Sequence, residues 1–249
     1  FEDISGYGFD FIFLGLPYTT EYPKEYDFKY FAQNSRVCYV PYGSSYADGK
    51  EMLRVSLTNN MLMSVDYLFA DCDKVYQYCN SKLKLCKNAD SKKIVYNIGF
   101  PRFDLVEREK KSSGIKTFLW LPRWTTSTDN NEKSTFFENK DVFIKYFQSH
   151  PELSLIIRPH PLMFAHYIDT GVMSKTEVDA YKQLIINTPN ITLDENPSYI
   201  GSFKKADCLI ADYSSVVIEY FITGRPVIYL NGTKTIERSI ADAFYVSET

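Results

Sequence analysis

Several polar side chains of this sequence lie directly after apolar runs, where they can meet at one edge of a sheet. They are, in chain order, Arg123, Arg158, His160 and the four residues of the turn Asp212-Tyr213-Ser214-Ser215. The carboxyl ends of parallel strands share one edge of an open sheet, and ligands bind in the crevice beyond that edge. Guanidinium groups, an imidazole, hydroxyls and the free N–H groups of a helix start all bind phosphate. We therefore predict an anion site at this edge, and a diphosphate fits it.

The turn after the third apolar run allows two interpretations when it is taken alone. Ser214 or Ser215 can hold a phosphate at the start of the next helix, or can simply cap that helix. A lone arginine or histidine also has a structural role more often than a functional one. Three strand ends that carry such groups at equivalent places favour function. We therefore predict that Arg123, Arg158 and Asp212 belong to the same anion site as the two serines.

His160 and Glu219 extend this predicted site. His160 lies between two prolines, which restrict the loop. The unperturbed pKa of histidine lies near neutrality, so His160 can hydrogen-bond or protonate a leaving phosphate. The alternative is a surface histidine that caps a turn. Glu219 comes about one helical turn after the serines and can accept a ribose hydroxyl.

The elements that must position these residues alternate between strands and helices. In the second half, the apolar runs predict strands at 116–121, 153–157, 191–193, 208–211 and 227–230. Helical spacing predicts helices at 136–147, 176–187, 198–205 and 216–223. Gly224 and Pro226 end the last of these helices. This order of elements is that of a doubly wound parallel sheet.

The first half shows the same alternation. We predict strands at 9–16, 37–40, 65–70 and 94–98, and helices at 51–63 and 73–86. The charged and small residues at 107–115 are the best candidate for a linker, which divides the chain into domains at 1–106 and 116–249. The predicted fold class is therefore α/β, with a parallel sheet in each domain.

Composition excludes several classes of protein. Hydrophobic residues make up 45% of the 249 residues and charged residues 24%, which are values of a globular protein. The formal net charge is −3 and there is no basic tail, so we do not expect nucleic acid as a partner. The five cysteines form no CxxC pair and are interpreted as reduced cytosolic thiols. No apolar run approaches the roughly 20 residues needed to span a bilayer, and no signal peptide is visible.

The chain resembles the CDP-glycerol glycerophosphotransferase family, which includes teichoic-acid primases and polymerases and capsule-synthesis relatives. The resembling segments, in the family's order, are VCYVPYG at 37–43, GFPRFD at 99–104, LWLPRWT at 119–125, IIRPHP at 156–161 and ADYSSVVIEYFITGRPVIY at 211–229. The resemblance implies a GT-B architecture, in which two Rossmann-like domains face a cleft and the C-terminal one binds most of the nucleotide-activated donor. Because the sequence starts at Phe1 rather than Met and the family usually continues beyond the position of Thr249, we expect the N-terminal half and the extreme C-terminus to be incomplete.

The resemblance assigns roles to some of the candidate residues. It implies that His160 acts at the donor diphosphate, that Ser214 and Ser215 hold phosphate, and that Glu219 contacts the nucleotide. Tyr42 marks a departure, because teichoic-acid polymerases carry a histidine in the matching motif, where it deprotonates the acceptor hydroxyl. A phenol with a pKa of about 10 is a poor base at neutral pH. Either another group is the base, or the acceptor chemistry differs, or activity is reduced; Tyr42 is kept as the candidate on the acceptor side.

The resemblance predicts a transferase that moves glycerol phosphate or ribitol phosphate from a CDP-activated donor to a lipid-linked teichoic-acid or capsule precursor. CDP-glycerol or CDP-ribitol is then a substrate, and we expect no metal or other cofactor because no aspartate cluster for Mg²⁺ is visible. The expected location is the cytoplasm, with the full-length protein able to sit on the inner face of the bacterial membrane. Two alternatives stay open: a GT-B glycosyltransferase that uses a UDP- or GDP-sugar, and a non-catalytic domain of a larger capsule polymerase.

Overall fold

The chain divides into two compact units, Phe1–Pro101 and Arg102–Thr249. The computed structural model describes residues 7–17, 23, 26, 28–45, 50–85, 93–106, 114, 116–127, 133–230 and 242–246. The linker predicted at 107–115 lies outside the described residues except for Gly114. The predicted domain limits at 106 and 116 therefore stay a prediction.

The described part of the first unit is a parallel sheet with helices against one face. Its elements are, in chain order, β1 (Phe11–Leu14), α1 (Phe28–Phe31), β2 (Arg36–Tyr39), α2 (Lys50–Ser56), α3 (Asn59–Ser64), β3 (Tyr67–Ala70), α4 (Asp73–Leu85) and β4 (Ile94–Asn97). The strand order is β1-β2-β3-β4, and every pairing in it is parallel. Alternate strand residues, such as Leu14, Leu68 and Ala70, pack with the helices in one core.

The helix predicted at 51–63 is two helices in the structure. Thr58 caps the start of α3, because its Oγ1 accepts a hydrogen bond of 3.3 Å from the N–H of Met61. Leu57 lies before this break and Met61 lies after it, and both are buried. Their spacing therefore suits one long helix as well as two short ones. The single turn of α1 was not predicted, since four residues carry too little periodicity to be recognised.

The described part of the second unit is a larger parallel sheet covered by helices. A 3-10 helix at Pro101–Leu105 begins at the division between the units, and the further elements are β5 (Thr117–Leu121), α5 (Phe136–Ser149), β6 (Ser154–Ile157), α6 (Met163–Asp169), α7 (Lys175–Ile186), β7 (Ile191–Leu193), α8 (Ile200–Lys205), β8 (Cys208–Ala211), α9 (Val216–Phe221), β9 (Val227–Tyr229) and β10 (Tyr245–Val246). The strand order is β10-β9-β8-β5-β6-β7, with all pairings parallel. The predicted α/β fold with a parallel sheet in each half is confirmed.

The strand order reverses at β5, and this reversal positions the candidate site. From β5 the chain builds β6 and β7 on one side, and it then returns to place β8, β9 and β10 on the other side. In a sheet of this kind, the loops after the two strands at the reversal diverge and open a crevice. Here the crevice lies beyond Leu121 of β5 and Ala211 of β8, which pair with each other.

The bounds of β8 and the helix stop after α9 agree with the prediction, whereas α6 was omitted. β8 is buried along its whole length because helices cover both faces of a parallel sheet, and its bounds match the prediction. Gly224 follows α9 with a φ of 74°, a conformation that glycine adopts at little cost, so the predicted helix stop is confirmed. The prediction omitted α6, although its buried residues Met163, Phe164 and Tyr167 have helical spacing.

Candidate functional site

Asp212 ties together the loops at the reversal of the sheet. Its side chain is fully buried, and its carboxylate accepts hydrogen bonds from the N–H of Arg123 at 2.8 Å, the N–H of Thr135 at 3.1 Å and the hydroxyl of Thr135 at 2.6 Å. Burial raises the pKa of Asp212 in spite of these hydrogen bonds. These hydrogen bonds occupy both carboxylate oxygens, so neither is directed at a ligand. The geometry therefore gives Asp212 the task of holding the loops, which differs from the direct donor contact predicted from the sequence.

Arg123 bridges the loops that follow β5 and β8. Its Nε donates to Oγ1 of Thr125 at 3.2 Å, and Nη1 donates to the carbonyl oxygen of Tyr213 at 3.1 Å. The guanidinium also lies over the ring of Tyr213, with Cζ 5.3 Å from the ring centroid. These contacts fix the half-buried guanidinium at the crevice. Among the described residues, none accepts a hydrogen bond from Nη2, so this nitrogen can bind an anion.

Arg158 lies at the end of β6, as predicted, but its charge is compensated within the protein. Nη1 donates to Oδ2 of Asp194 at 2.7 Å, and Nη2 donates to the carbonyl oxygen of Asn196 at 2.6 Å. The side chain is only 10% exposed. These contacts point the guanidinium toward the loop after β7, so Arg158 supports that loop. The direct contact with a diphosphate that the sequence predicted has no support in this geometry.

His160 is held in one orientation by its own loop and by Trp124. Its Nδ1 accepts a hydrogen bond of 3.2 Å from the N–H of Leu162, so the proton of the neutral ring is on Nε2. The imidazole stacks on the ring of Trp124, with centroids 5.4 Å apart and an interplanar angle of 23°. Partial burial and the positive charge of Arg123 lower the pKa of His160. At neutral pH, His160 is therefore a neutral hydrogen-bond donor through Nε2.

Ser214 and Ser215 form the start of α9. The Oγ of Ser214 accepts only a long hydrogen bond, 3.4 Å, from the N–H of Val216. Ser215 occupies the position before α9, and its side chain makes no capping hydrogen bond. Simple helix capping therefore explains little of this pair. Ser214 is half-buried and Ser215 is exposed, so a ligand can reach both residues.

Glu219 lies in α9 with its side chain 1% exposed. Its Oε2 accepts a hydrogen bond from the hydroxyl of Tyr199 and forms an ion pair with Nε of Arg102 at 3.6 Å. Burial raises the pKa of Glu219, and these two partners act in the opposite direction. Sequence reasoning missed Arg102 and Tyr199. The signal for Arg102 was the GFPRFD segment, which was recognised as a motif without a role for its arginine.

Tyr42 lies in the first unit, in the loop after β2. Its side chain is 52% exposed, and its N–H donates to the carbonyl oxygen of Gly15 at 3.2 Å. Asp71, directly after β3, was not predicted to be part of a site. Its Oδ2 accepts a hydrogen bond of 2.5 Å from the N–H of Ser45, while its buried Oδ1 has no partner among the described residues. Asp71 thus holds the loop of Tyr42 much as Asp212 holds the loop of Arg123.

The described cysteines do not have the properties of nucleophiles. Burial raises the pKa of Cys72 to about 11 and those of Cys79 and Cys208 to about 12, so these thiols are protonated at neutral pH. Within the described ranges, no group of three or more His, Cys, Asp or Glu side chains is placed to hold a metal ion. The same ranges contain no helix with the length and apolar character to cross a membrane.

The sequence matches one known protein family over most of its length. A family model described as CDP-Glycerol:Poly(glycerophosphate) glycerophosphotransferase matches residues 63–233, which is more than half of the chain. The chain belongs to this family. The matched range contains all the candidate residues of the second unit, whereas Tyr42 lies before it. No curated protein matches the chain significantly.

Solved structures with a similar fold include one with UDP bound and one with UDP-GlcNAc bound. UDP-GlcNAc 2-epimerase from Neisseria meningitidis, bound to UDP-GlcNAc, is 15% identical with a TM-score of 0.54; the match covers 94% of this chain and 62% of that one. MnaA from S. aureus, in a co-structure with UDP, is 15% identical with a TM-score of 0.53, and the match covers 96% of this chain and 61% of that one. The wall teichoic acid polymerase TagF is 16% identical with a TM-score of 0.44, over 79% of this chain and 50% of that one.

The likeness to the two enzymes with the higher TM-scores concerns the fold, because only about one residue in seven is identical. It supports the assignment of two parallel α/β units of the GT-B type. The chain spans less than two thirds of the length of these relatives.

Proposed function

We propose that this chain is part of a transferase that moves glycerol phosphate or ribitol phosphate from a CDP-activated donor to a teichoic-acid or capsule precursor. The observation that carries the proposal is the convergence of Arg123, His160, Ser214 and Ser215 at the reversal of the sheet, in a chain of this family. A lipid-linked acceptor would bring the full-length protein to the inner face of the membrane.

In this proposal, the donor diphosphate lies in the crevice beyond β5 and β8. Nη2 of Arg123 and Nε2 of His160 donate to its oxygens, and the hydroxyls of Ser214 and Ser215 bind it from the start of α9. Glu219 contacts the ribose of the nucleotide. Asp212 and Arg158 do not touch the donor; they hold the loops that carry the groups that do.

The reaction needs a phosphorus–oxygen bond to form and another to break. The acceptor hydroxyl attacks the β-phosphorus, which carries the polyol, and the bond from this phosphorus to the bridging oxygen breaks. The electron pair leaves with CMP, while the proton of the acceptor hydroxyl passes to a base on the acceptor side. CMP needs no proton as it leaves, because the second pKa of a phosphate monoester is about 6.

His160 would stabilise the charge that develops on CMP through a hydrogen bond. A neutral imidazole that donates from Nε2 is a very weak acid, so proton transfer from His160 is not required. Arg123 would balance the same charge. Tyr42 stays the acceptor-side candidate; as a phenol it would orient the hydroxyl better than it would deprotonate it.

The donor is tested by calorimetric titration of the chain with CDP-glycerol, CDP-ribitol, UDP-GlcNAc and a GDP-sugar. We expect binding of a CDP-polyol in preference to both sugar nucleotides. Preference for UDP-GlcNAc or the GDP-sugar would instead indicate a glycosyltransferase. Binding of a CDP-polyol without release of CMP in the full-length protein, with acceptor present, would indicate a non-catalytic domain.

The role of His160 is tested by CMP release from the full-length protein. We expect His160→Ala to lower kcat/KM by roughly 100- to 1,000-fold, the typical effect of removing one such donor. His160→Gln should recover part of this loss, because an amide can donate a hydrogen bond but cannot transfer a proton. His150→Ala is the control, since that ring binds the carbonyl oxygen of Tyr146 at the end of α5. Equal activity of His160→Ala and His150→Ala would refute the proposed role.

A further inference from the structure

Glu219 is a buried carboxylate whose described partners both bind the same oxygen. The hydroxyl of Tyr199 donates to Oε2, and Nε of Arg102 lies 3.6 Å from Oε2. No described residue hydrogen-bonds Oε1. A carboxylate has about four acceptor positions, so this arrangement holds one oxygen and leaves the other to a ligand.

The two partners come from separate segments and support each other. Arg102 belongs to the 3-10 helix at Pro101–Leu105, and Tyr199 lies directly before α8. The guanidinium of Arg102 lies over the ring of Tyr199, with Cζ 4.9 Å from the ring centroid. The ring of Tyr199 in turn packs against Phe203, with centroids 4.8 Å apart. Stacking thus limits the positions that both donors can take.

Burial raises the pKa of Glu219, and its two partners oppose that rise. Burial opposes ionisation of the carboxyl, because a charge in an apolar environment loses its hydration. The hydrogen bond from Tyr199 and the charge of Arg102 compensate part of that loss. Since the side chain of Arg102 is 44% exposed, its charge remains partly hydrated while it faces the carboxylate.

Glu219 is also on the side of α9 that carries the proposed donor site. Ser215 and Glu219 are four residues apart at the start of α9, and residues with this spacing share a helix face. A ligand whose phosphates contact the serines can therefore place its next polar group near Glu219. In a nucleoside diphosphate that group is the ribose.

We propose that Arg102 and Tyr199 are positioning residues that hold Glu219 through Oε2, so that Oε1 accepts hydrogen bonds from the ribose hydroxyls of the donor nucleotide. This inference rests on the proposed function. The inference gives the GFPRFD segment a role in nucleotide recognition, although this segment lies outside the sheet. It also makes Arg102 and Tyr199 determinants of the preference for a ribonucleotide.

The experiment compares CDP with its 2′,3′-dideoxy analogue by calorimetric titration. Wild-type protein should bind CDP roughly 10- to 100-fold more tightly than the analogue, as expected when two hydrogen bonds to the carboxyl group are lost. Arg102→Ala and Tyr199→Phe should weaken CDP binding and leave binding of the analogue within about threefold of wild type. Arg102→Lys should keep part of the discrimination. Asp104→Ala, a change in the same 3-10 helix, should keep all of it.

Three results would overturn the inference. The first is wild-type protein that binds CDP and the dideoxy analogue equally. The second is a loss of both ligands by the same factor in Arg102→Ala and Tyr199→Phe, which would indicate general damage to the unit; their thermal unfolding temperatures would show it independently. In both cases CDP binding by wild type leaves the proposed function standing. The third is wild-type protein that binds no cytidine nucleotide, which would remove the proposed function as well.

Discussion

Replacement of Asp194 by asparagine tests whether Arg158 is a structural residue. Asp194 is 7% exposed and accepts hydrogen bonds from Arg158, from the hydroxyl of Ser202 and from both nitrogens of Asn196. Burial alone would raise the pKa of Asp194, but these donors outweigh it and lower the pKa from its usual 3.8 to about 2. The carboxylate is therefore more stable in the folded chain than in the unfolded one.

The magnitude follows from the difference between the two pKa values. At pH 7 it corresponds to about 2 kcal/mol of the free energy of unfolding. Because the folded-state pKa is lowered, this contribution is complete above pH 5, falls to roughly half by pH 3 and is lost below pH 2. Asparagine also leaves the guanidinium of Arg158 without its carboxylate. We expect Asp194→Asn to cost about 2–4 kcal/mol at pH 7 and about 1 kcal/mol less than that at pH 3.

Urea unfolding followed by tryptophan fluorescence measures this effect selectively. The two tryptophans, Trp120 and Trp124, both belong to the second unit, so the signal reports that unit. Glu195→Gln is the matched control, because Glu195 forms an ion pair with Lys182 and is 52% exposed. Such exposed pairs contribute at most about 1 kcal/mol.

Two results would refute this reasoning. One is a cost for Asp194→Asn no larger than that for Glu195→Gln. The other is a cost that stays the same at pH 7 and pH 3, since the carboxylate is the group whose ionisation produces the difference. Either result would reopen the interpretation of Arg158 as a residue that contacts the donor.

Two further predictions concern the aspartates that hold loops. Asp212→Ala leaves three buried donors without an acceptor and should lower the free energy of unfolding by about 3–5 kcal/mol in the same fluorescence assay. Thr135→Val should lower it by only about 1–2 kcal/mol. Equal losses for the two variants would contradict the hydrogen-bond network. Burial raises the pKa of Asp71, so wild-type protein should lose stability as the pH rises through that pKa. Asp71→Asn should therefore unfold at the same or a higher temperature at pH 7, without this advantage at pH 4. Circular dichroism measures this, and a lower unfolding temperature at pH 7 would contradict it.

Burial explains why some elements were predicted accurately, but it does not explain the elements that were missed. β8 was predicted with its observed bounds, because a strand buried on both faces is a continuous apolar run. α6 was missed although it is well buried, because it follows the proline-rich loop around His160, which reads as irregular structure. The break between α2 and α3 depends on one hydroxyl of Thr58, and apolar spacing does not contain that information.

For the candidate site as well, features set by neighbouring residues were predicted, whereas contacts between distant residues were not. The sequence predicted which loops meet, because parallel strands end at one edge of a sheet. It could not show that Arg158 is paired with Asp194, 36 residues away, or that Asp212 binds Thr135, 77 residues away. It also could not reveal the partners of Glu219, which come from two other segments.

The sequence by itself determined the α/β class, the strand ends that carry Arg123, His160 and the serines, and the family. These follow from periodicity and from short motifs, which depend on neighbouring residues. Only the tertiary structure decided which charges are compensated inside the protein and which can face a ligand. The physical reason is that the free energy of a charge depends on its burial and on its partners, and folding brings those partners from distant parts of the chain.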